Sequence, residues 1–302
     1  MIVVAGEALI DLVPLAPPEP GGPLPVLAPR LGGGPYNTAI ALGRLGGPAA
    51  FCSRISADGF GDALVAGLAA AGVDTAYVAR GPEPTTLAVA AVGPDGSAGY
   101  SFYAGGTADR LFELPPPLPA GTRAVAFGTC SLVLEPGASA YEALLRREAR
   151  AGRFVLLDPN VRPALIPDAG AYRERFRSWL PYVSLLKLSE EDAEWLGGVP
   201  EGPGAVVLTR GAAGLEVRTR GGGGVRVLVP AVPVAVADTI GAGDTVNAAL
   251  LHGLAARNAL SPAGAAALGP DGWREVLALA ARAAALTCSR PGAEPPYAAE
   301  LA

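Results

Sequence analysis

Residues 238–244 read Asp-Thr-Ile-Gly-Ala-Gly-Asp and run straight into TVNAALLHGLAA, a stretch with a helical pattern. Small residues leading into a helix let several backbone N–H groups converge with no Cβ in the way. The helix N-terminus adds about half a positive charge, so the turn suits an anion. A carboxylate in the same turn would repel a bound phosphate. Asp244 makes sense there if it faces an acceptor hydroxyl while the N–H groups of Gly241, Ala242 and Gly243 hold a transferring phosphoryl group. The plain alternative is an Asp N-cap after a glycine turn. A second cluster, Gly32-Gly-Gly-Pro-Tyr-Asn37, precedes TAIALGRLG. Its glycines allow close backbone approach to a ligand, and Asn37 both donates and accepts, as a polyol requires. Alone it is equally a glycine turn with Pro near the first helical turn. Two such constellations in one chain are far more specific than either.

Scarcity removes other chemistries. Lys187 is the only lysine and His252 the only histidine, and Cys52, Cys130 and Cys288 are the only cysteines. One histidine excludes an HExxH or multi-histidine metal centre. Three scattered cysteines form no CxxC and no disulfide framework. Lys187 lies in Leu-Leu-Lys-Leu-Ser and not in Gly-Lys-Ser/Thr, so a Walker A loop is excluded. It also stands far from the Asp238–Asp244 motif in sequence, and the expectation is that no lysine reaches that motif. No Gly-x-Gly-x-x-Gly follows the first apolar strand, which argues against a dinucleotide-binding dehydrogenase. His252 sits in a helical pattern and reads as a locally bonded helix residue better than as part of a Ser-His-Asp triad.

The elements that must position these residues alternate along the 302-residue chain. Strands are expected over 2–8, 50–55, 124–127, 154–157, 183–186 and 205–208, with helices over 36–45, 61–71, 139–151 and 172–179. This alternation predicts an α/β fold with a largely parallel sheet. The first strand is expected to end at Asp11. Two segments break the pattern: proline-rich Leu12–Leu31, and Thr86–Tyr103, which reads as a hairpin around Gly-Pro-Asp-Gly. Together, at about 12–31 and 86–107, they are expected to form a small β lid inserted into a single domain spanning 1–302. A further hairpin is expected over 214–229, turning at Gly221–Gly224, and a helical hairpin closes the chain. The net charge of −5 shows no basic stripe for nucleic acid. The start lacks a basic leader, and the longest late apolar run, Val276–Leu286, is broken by Arg282, so a cytoplasmic protein with no membrane partner is expected.

The two glycine constellations resemble the signatures of the ribokinase-like, or phosphofructokinase-B type, carbohydrate kinases. The resemblance covers nearly the whole chain. Gly6-Glu-Ala-Leu-Ile-Asp11, Gly106-Thr-Ala-Asp109, Asp158-Pro-Asn-Val-Arg162, Thr209-Arg-Gly-Ala-Ala-Gly214 and Ser289-Arg-Pro-Gly-Ala293 add to it. GEALIDL, GTAD and DPNVR are similar to the bacterial fructokinase branch. The resemblance implies a Rossmann-like three-layer α/β/α core with a β-sheet lid, sugar under the lid and ATP along a groove. It implies sugar contacts from Asp11, Gly33, Gly34, Asn37, Phe102, Thr107 and Asn160. Ser189, Thr209, Gly211, Gly214 and Gly243 would lie along the nucleotide. Gly241–Gly243 would form the anion hole, Asp244 the base, and Arg162 would supply cationic help. Mg²⁺ would accompany ATP, a monovalent cation would lie beside Asp238, and lids would pair in a homodimer.

The chain departs from the family pattern at Ser189-Glu-Glu-Asp192, where many members carry Asn-x-x-Glu. Asp192 would there hold a metal-bound water; a helix start with acids in its first turn reads the same residues equally well. Within the lid segments Arg30 is the only cation, whereas Tyr100, Phe102, Tyr103 and Thr107 offer aromatic and hydroxyl groups. A phosphorylated substrate would need arginine or lysine around it. A neutral hexose is therefore expected, fructose first, with transfer to O6. The alternatives are a 2-keto-3-deoxygluconate kinase, whose substrate carboxylate could meet Arg162 or Arg110, a ribokinase, and a binding protein without activity on the same fold.

Overall fold

The computed structural model describes residues 1–15, 24–92, 98–220 and 224–301. Their order is β1 (Ile2–Ala5), β2 (Leu9–Pro14), β3 (Leu27–Gly32), α1 (Gly34–Arg44), β4 (Ala49–Ser56), α2 (Gly59–Ala70), β5 (Asp74–Gly81), β6 (Leu87–Val92), β7 (Ala98–Tyr103), β8 (Ala124–Gly128), α3 (Gly137–Arg150), β9 (Phe154–Asp158), α4 (Ala169–Trp179), β10 (Leu185–Ser189), α5 (Glu190–Leu196), β11 (Ala205–Thr209), β12 (Leu215–Thr219), β13 (Arg226–Val229), α6 (Ala242–Ala256), α7 (Pro262–Ala267) and α8 (Pro270–Cys288).

Nine strands form the central sheet in the order β13-β12-β11-β10-β9-β8-β1-β4-β5. From β11 through β5 every neighbour pair is parallel, and β12 and β13 add an antiparallel edge. Parallel strands buried on both faces read as continuous apolar runs, and β1, β8 and β9 are buried at every position. Alternate residues feed two cores. Phe154, Leu156 and Leu185 pack with α1, α2, α6 and α8 on one face. Val155, Leu157 and Leu186 pack with α3, α4 and α5 on the other. The layers are helix, sheet, helix, as expected. Strand order runs outward from β1 in both directions, so the crevice for a ligand lies beyond the C-terminal ends near β1, β8 and β9.

The second sheet has four strands, β3-β2-β6-β7. Pairing is antiparallel at β2/β3 and β6/β7 and parallel at β2/β6. The lid is therefore present, but its first strand starts at Leu9 and not at residue 12. The single strand expected to run from residue 2 to Asp11 is two strands, broken at Gly6, whose φ of 155° few residues with a Cβ adopt. Asp11 thus belongs to the lid. The expected lid segments extend over residues 16–23 and the Gly93–Gly96 turn, which lie outside the described residues, as do residues 221–223 of the other hairpin turn.

The lid is tied to the core by polar contacts. Asp58 caps α2 by accepting from Gly61 N–H at 2.8 Å and also takes the Thr85 N–H and hydroxyl. Burial opposes its charge, but these donors win and its pKa falls to about 2. Among the described residues no helix is long and apolar enough to cross a membrane.

Candidate active site

Helix α6 begins at Ala242, with Gly241 as its N-cap in the left-handed conformation at φ 75°. A Cβ at Gly241 would also lie 2.6 Å from Ala293 Cβ, so glycine is required twice over. The first N–H to bond back into the helix is that of Thr245, to Gly241 O at 2.9 Å. Ala242 N–H turns to Thr239 O at 3.3 Å, which leaves the N–H groups of Gly243 and Asp244 as the open donors of the first turn. Gly241 N–H, just before the helix, has no partner among the described residues either, so the open donors lie at 241, 243 and 244. Asp238 holds this loop in place: its two carboxylate oxygens accept from Ile240 N–H at 3.0 Å and Gly292 N–H at 2.9 Å.

Helix α1 begins opposite. Gly33, at φ 107°, turns the chain where an added Cβ would meet Glu7 O at 2.8 Å. At Gly34 a Cβ would lie 2.5 Å from Thr129 Oγ1 and 3.3 Å from Asp244 Oδ1. Asn37, one turn into α1, donates from Nδ2 to Asp244 Oδ2 at 3.0 Å. The two constellations singled out in the sequence therefore meet, helix start against helix start.

A cavity of about 270 Å³ opens over this meeting point. It takes in Asp11, Gly33, Gly34, Asn37, Phe102, Asn160, Arg162, Gly241, Gly243 and Asp244 from the expected set, with Tyr100 and Lys187 beside them. Asp244 is buried, and burial first, then the charge of Asp158, pushes its carboxyl up to about 7 against the pull of Asn37, Lys187 and Arg162. Asp11 is raised to about 6 by burial, with Arg162 opposing. The site thus holds an acid poised near neutrality beside open N–H donors, which is the pairing that hydroxyl deprotonation and phosphoryl transfer need.

Other expectations separate from this cavity. Thr107 does not line it. Its hydroxyl accepts from Thr86 Oγ1 and donates to Ala104 O or Asp109 Oδ1, so Thr107 fastens the lid base. Ser189 and Thr209 are the last residues of β10 and β11, and Gly211 and Gly214 follow β11, farther along the same sheet edge. Ser189 caps α5, accepting from Asp192 N–H, while Asp192 accepts from Ser189 N–H at 3.0 Å and Val161 N–H at 2.7 Å. The reading of 189–192 as a helix start with acids in its first turn is realised, and Ser189 and Asp192 close a capping box there. Arg162 lines the cavity and turns Nη1 back onto Asn160 Oδ1 at 2.7 Å.

The expectation that no lysine reaches the motif is overturned. Lys187 Nζ lies 2.9 Å from where a Cβ on Gly243 would be. It donates to Asp158 Oδ2 at 2.9 Å, and Asn247 of α6 donates to the same oxygen at 2.7 Å. Sequence distance misled because β10 is next to β9 and its inward face points at α6. A signal was available: a lone lysine inside a fully apolar strand, LLKLS, is costly unless paired.

The chain matches the pfkB family carbohydrate kinase model over residues 1–299. It belongs to the pfkB family of carbohydrate kinases. It is 38% identical to a fructokinase of Rhizobium leguminosarum bv. trifolii over 91% of this chain and 88% of that one. With a fructokinase of Klebsiella pneumoniae the identity is 34%, covering 97% and 94%. Among solved structures, a fructokinase of Xylella fastidiosa with bound ATP superposes with a TM-score of 0.87 at 28% identity, covering 99% of this chain and 96% of that one. For this pfkB kinase the likeness extends over core and lid together.

Proposed function

We propose that this kinase transfers the γ-phosphoryl group of ATP to a hydroxyl of fructose, with Asp244 as general base. The observation that carries the reading is the buried Asp244 carboxylate, held by Asn37 at 3.0 Å and set in the same helix turn as open N–H donors. The acceptor hydroxyl gives its proton to Asp244 as its oxygen attacks the γ-phosphorus. The bond to the bridging oxygen breaks and ADP leaves. General-base assistance of this kind contributes roughly 10²–10⁴-fold, and the Gly243 and Asp244 amides meet the charge on the transferring oxygens. Lid residues Tyr100 and Phe102 cover the sugar and keep water from competing for the phosphoryl group.

Mg²⁺ fits this site as an ion that arrives on the nucleotide. Among the described residues no three His, Cys, Asp or Glu side chains converge to cage a metal, and Mg²⁺ at phosphates needs only one or two carboxylates, some through water. Asp192 would take that part from its remaining lone pairs. When bound, the ion neutralises the β- and γ-phosphates. A monovalent cation beside Asp238 would steady the cradle loop that this carboxylate already ties to Gly292.

Substrate charge supports fructose over a sugar phosphate or sugar acid. The cavity is lined by Glu7, Asp11 and Asp244 against Arg162 and Lys187, so acids outnumber cations, and Lys187 lies against the cradle turn at Gly243. Arg110 donates to Glu135 O and Ala104 O, and does not line the cavity. Fructose, fructose 6-phosphate, ribose and 2-keto-3-deoxygluconate competing at fixed ATP test this. Fructose is expected to lead in kcat/KM. A tenfold preference for either anionic substrate, about 1.4 kcal/mol, would overturn the choice of sugar. A homodimer through the lids also fits, since Leu24, Val26 and Tyr103 are exposed there; light scattering showing only monomer would refute it.

A further inference from the structure

We propose that Lys187 is a catalytic residue of this kinase, its ammonium contacting the transferring phosphoryl group, and that Asp158 and Asn247 are the positioning residues that aim it. The inference rests on the kinase reading and adds a cation that the motifs do not contain.

Lys187 is 4% exposed, on a central strand where an unpaired charge would be strongly unfavourable. Its one acceptor among the described residues is Asp158 Oδ2. An ammonium carries three donors, so two remain to be placed. The side chain lines the cavity, and its Nζ sits against the face of Gly243 that a Cβ would otherwise occupy. Gly243 supplies one of the open N–H groups of the cradle. The free donors of Lys187 and the cradle amides therefore border the same small space, next to Asp244.

The arrangement behind Lys187 is that of a support. Asp158 ends β9 and is 3% exposed; Asn247 lies one turn into α6 and is also 3% exposed. Asn247 Nδ2 donates to the same Asp158 Oδ2 that accepts from Lys187, which fixes the ammonium from below and links strand to helix. Burial alone would favour losing the proton, but the carboxylates of Asp158, Asp192 and Asp244 hold it on, and the Lys187 pKa rises. The ammonium is thus charged throughout the working pH range. A fixed cation aimed at a transferring phosphoryl group acts where negative charge is spread over its oxygens, in a site that need not reorganise.

A structural ion pair would look similar in one variant and different in two. Lys187→Met leaves Asp158 as an unpaired buried charge, so lost folding and lost chemistry would be confounded. Lys187→Met combined with Asp158→Asn removes both charges and restores thermal stability toward wild type. The experiment measures kcat by ADP release at saturating fructose and ATP, with melting temperature, for wild type, both single variants and the double variant. Turnover of fructose by wild type tests the functional reading, and the ratios among variants test Lys187. The double variant is expected to fold and to remain at least about 100-fold below wild type. Asp158→Asn, which keeps the ammonium, is expected to lose less than about tenfold. Recovery of the double variant to within about threefold of wild type would show a purely structural pair and overturn the proposal.

Discussion

Asn37 Nδ2 donates to Asp244 Oδ2 at 3.0 Å across 207 residues of sequence. This one bond joins the start of α1, beneath the lid, to the start of α6, where the cradle lies. It orients the carboxylate, and it places beside the base a side chain that can also bond a sugar hydroxyl. Sugar binding and proton abstraction are in this way set by a shared contact.

The base works only as a carboxylate, and burial with the neighbouring Asp158 pushes Asp244 up to about 7. The kcat/KM for fructose is therefore expected to rise through pH about 7 and level off above it. Asn37 pulls this pKa down, so in Asn37→Ala the rise should move to higher pH while kcat/KM falls. Asp11, raised to about 6, is not the source of the limb if Asp11→Asn leaves it near 7. A flat profile between pH 5 and 8 would contradict the assignment.

The same group makes a stability prediction with the opposite pH sense from a salt-bridged acid. In the folded protein Asp244 keeps its proton up to about 7, whereas unfolded it ionises near 3.8. Folding is thus helped by this group at low pH, and that help is lost as pH rises from about 4 to about 7. Asp244→Asn carries no such loss. Its melting temperature should exceed that of wild type at pH 8, by the equivalent of at least about 1 kcal/mol, with the gap closing near pH 4. A lower melting temperature at pH 8 would count against a strained buried carboxylate.

Gly243→Ala tests the cradle from its other side. The new methyl would lie 2.9 Å from Lys187 Nζ, closer than real contacts allow, and the ammonium is pinned by Asp158. The lysine must move, so kcat is expected to fall at least about tenfold with a smaller change in stability. Wild-type turnover in this variant would mean that neither the amide nor the ammonium has the assigned position.

Much of this was legible because the signals were local. Glycines entering helices at 33–34 and 241–243 mark close approach by backbone chemistry alone, and apolar runs such as FVLLD mark parallel strands by composition. What stayed hidden depended on which strands become neighbours. Lys187 reaches Gly243 only because β10 lies beside β9, under α6. Asp11 was expected at the end of a core strand, but the break at Gly6 hands it to the lid. Thr107 carries a hydroxyl that reads as a sugar ligand, yet its proximity to Thr86 and Asp109 commits it to the lid base. Ser189 and Asp192 allowed a metal role or a helix cap; the Ser189 and Val161 amides bonded to Asp192 realise the cap, and the two roles are compatible because each carboxylate oxygen keeps a further lone pair.

The turnover of Asp244→Asn with fructose and ATP both saturating, measured beside nucleotide affinity, tests the base role of Asp244 most directly. The amide keeps the size of the side chain and can still accept from Asn37, so the cradle and the fold remain. Turnover is expected to fall at least about 10²-fold with nucleotide binding nearly unchanged. A variant that folds, binds ATP and turns over fructose at close to the wild-type rate would contradict the assignment of Asp244 as the base.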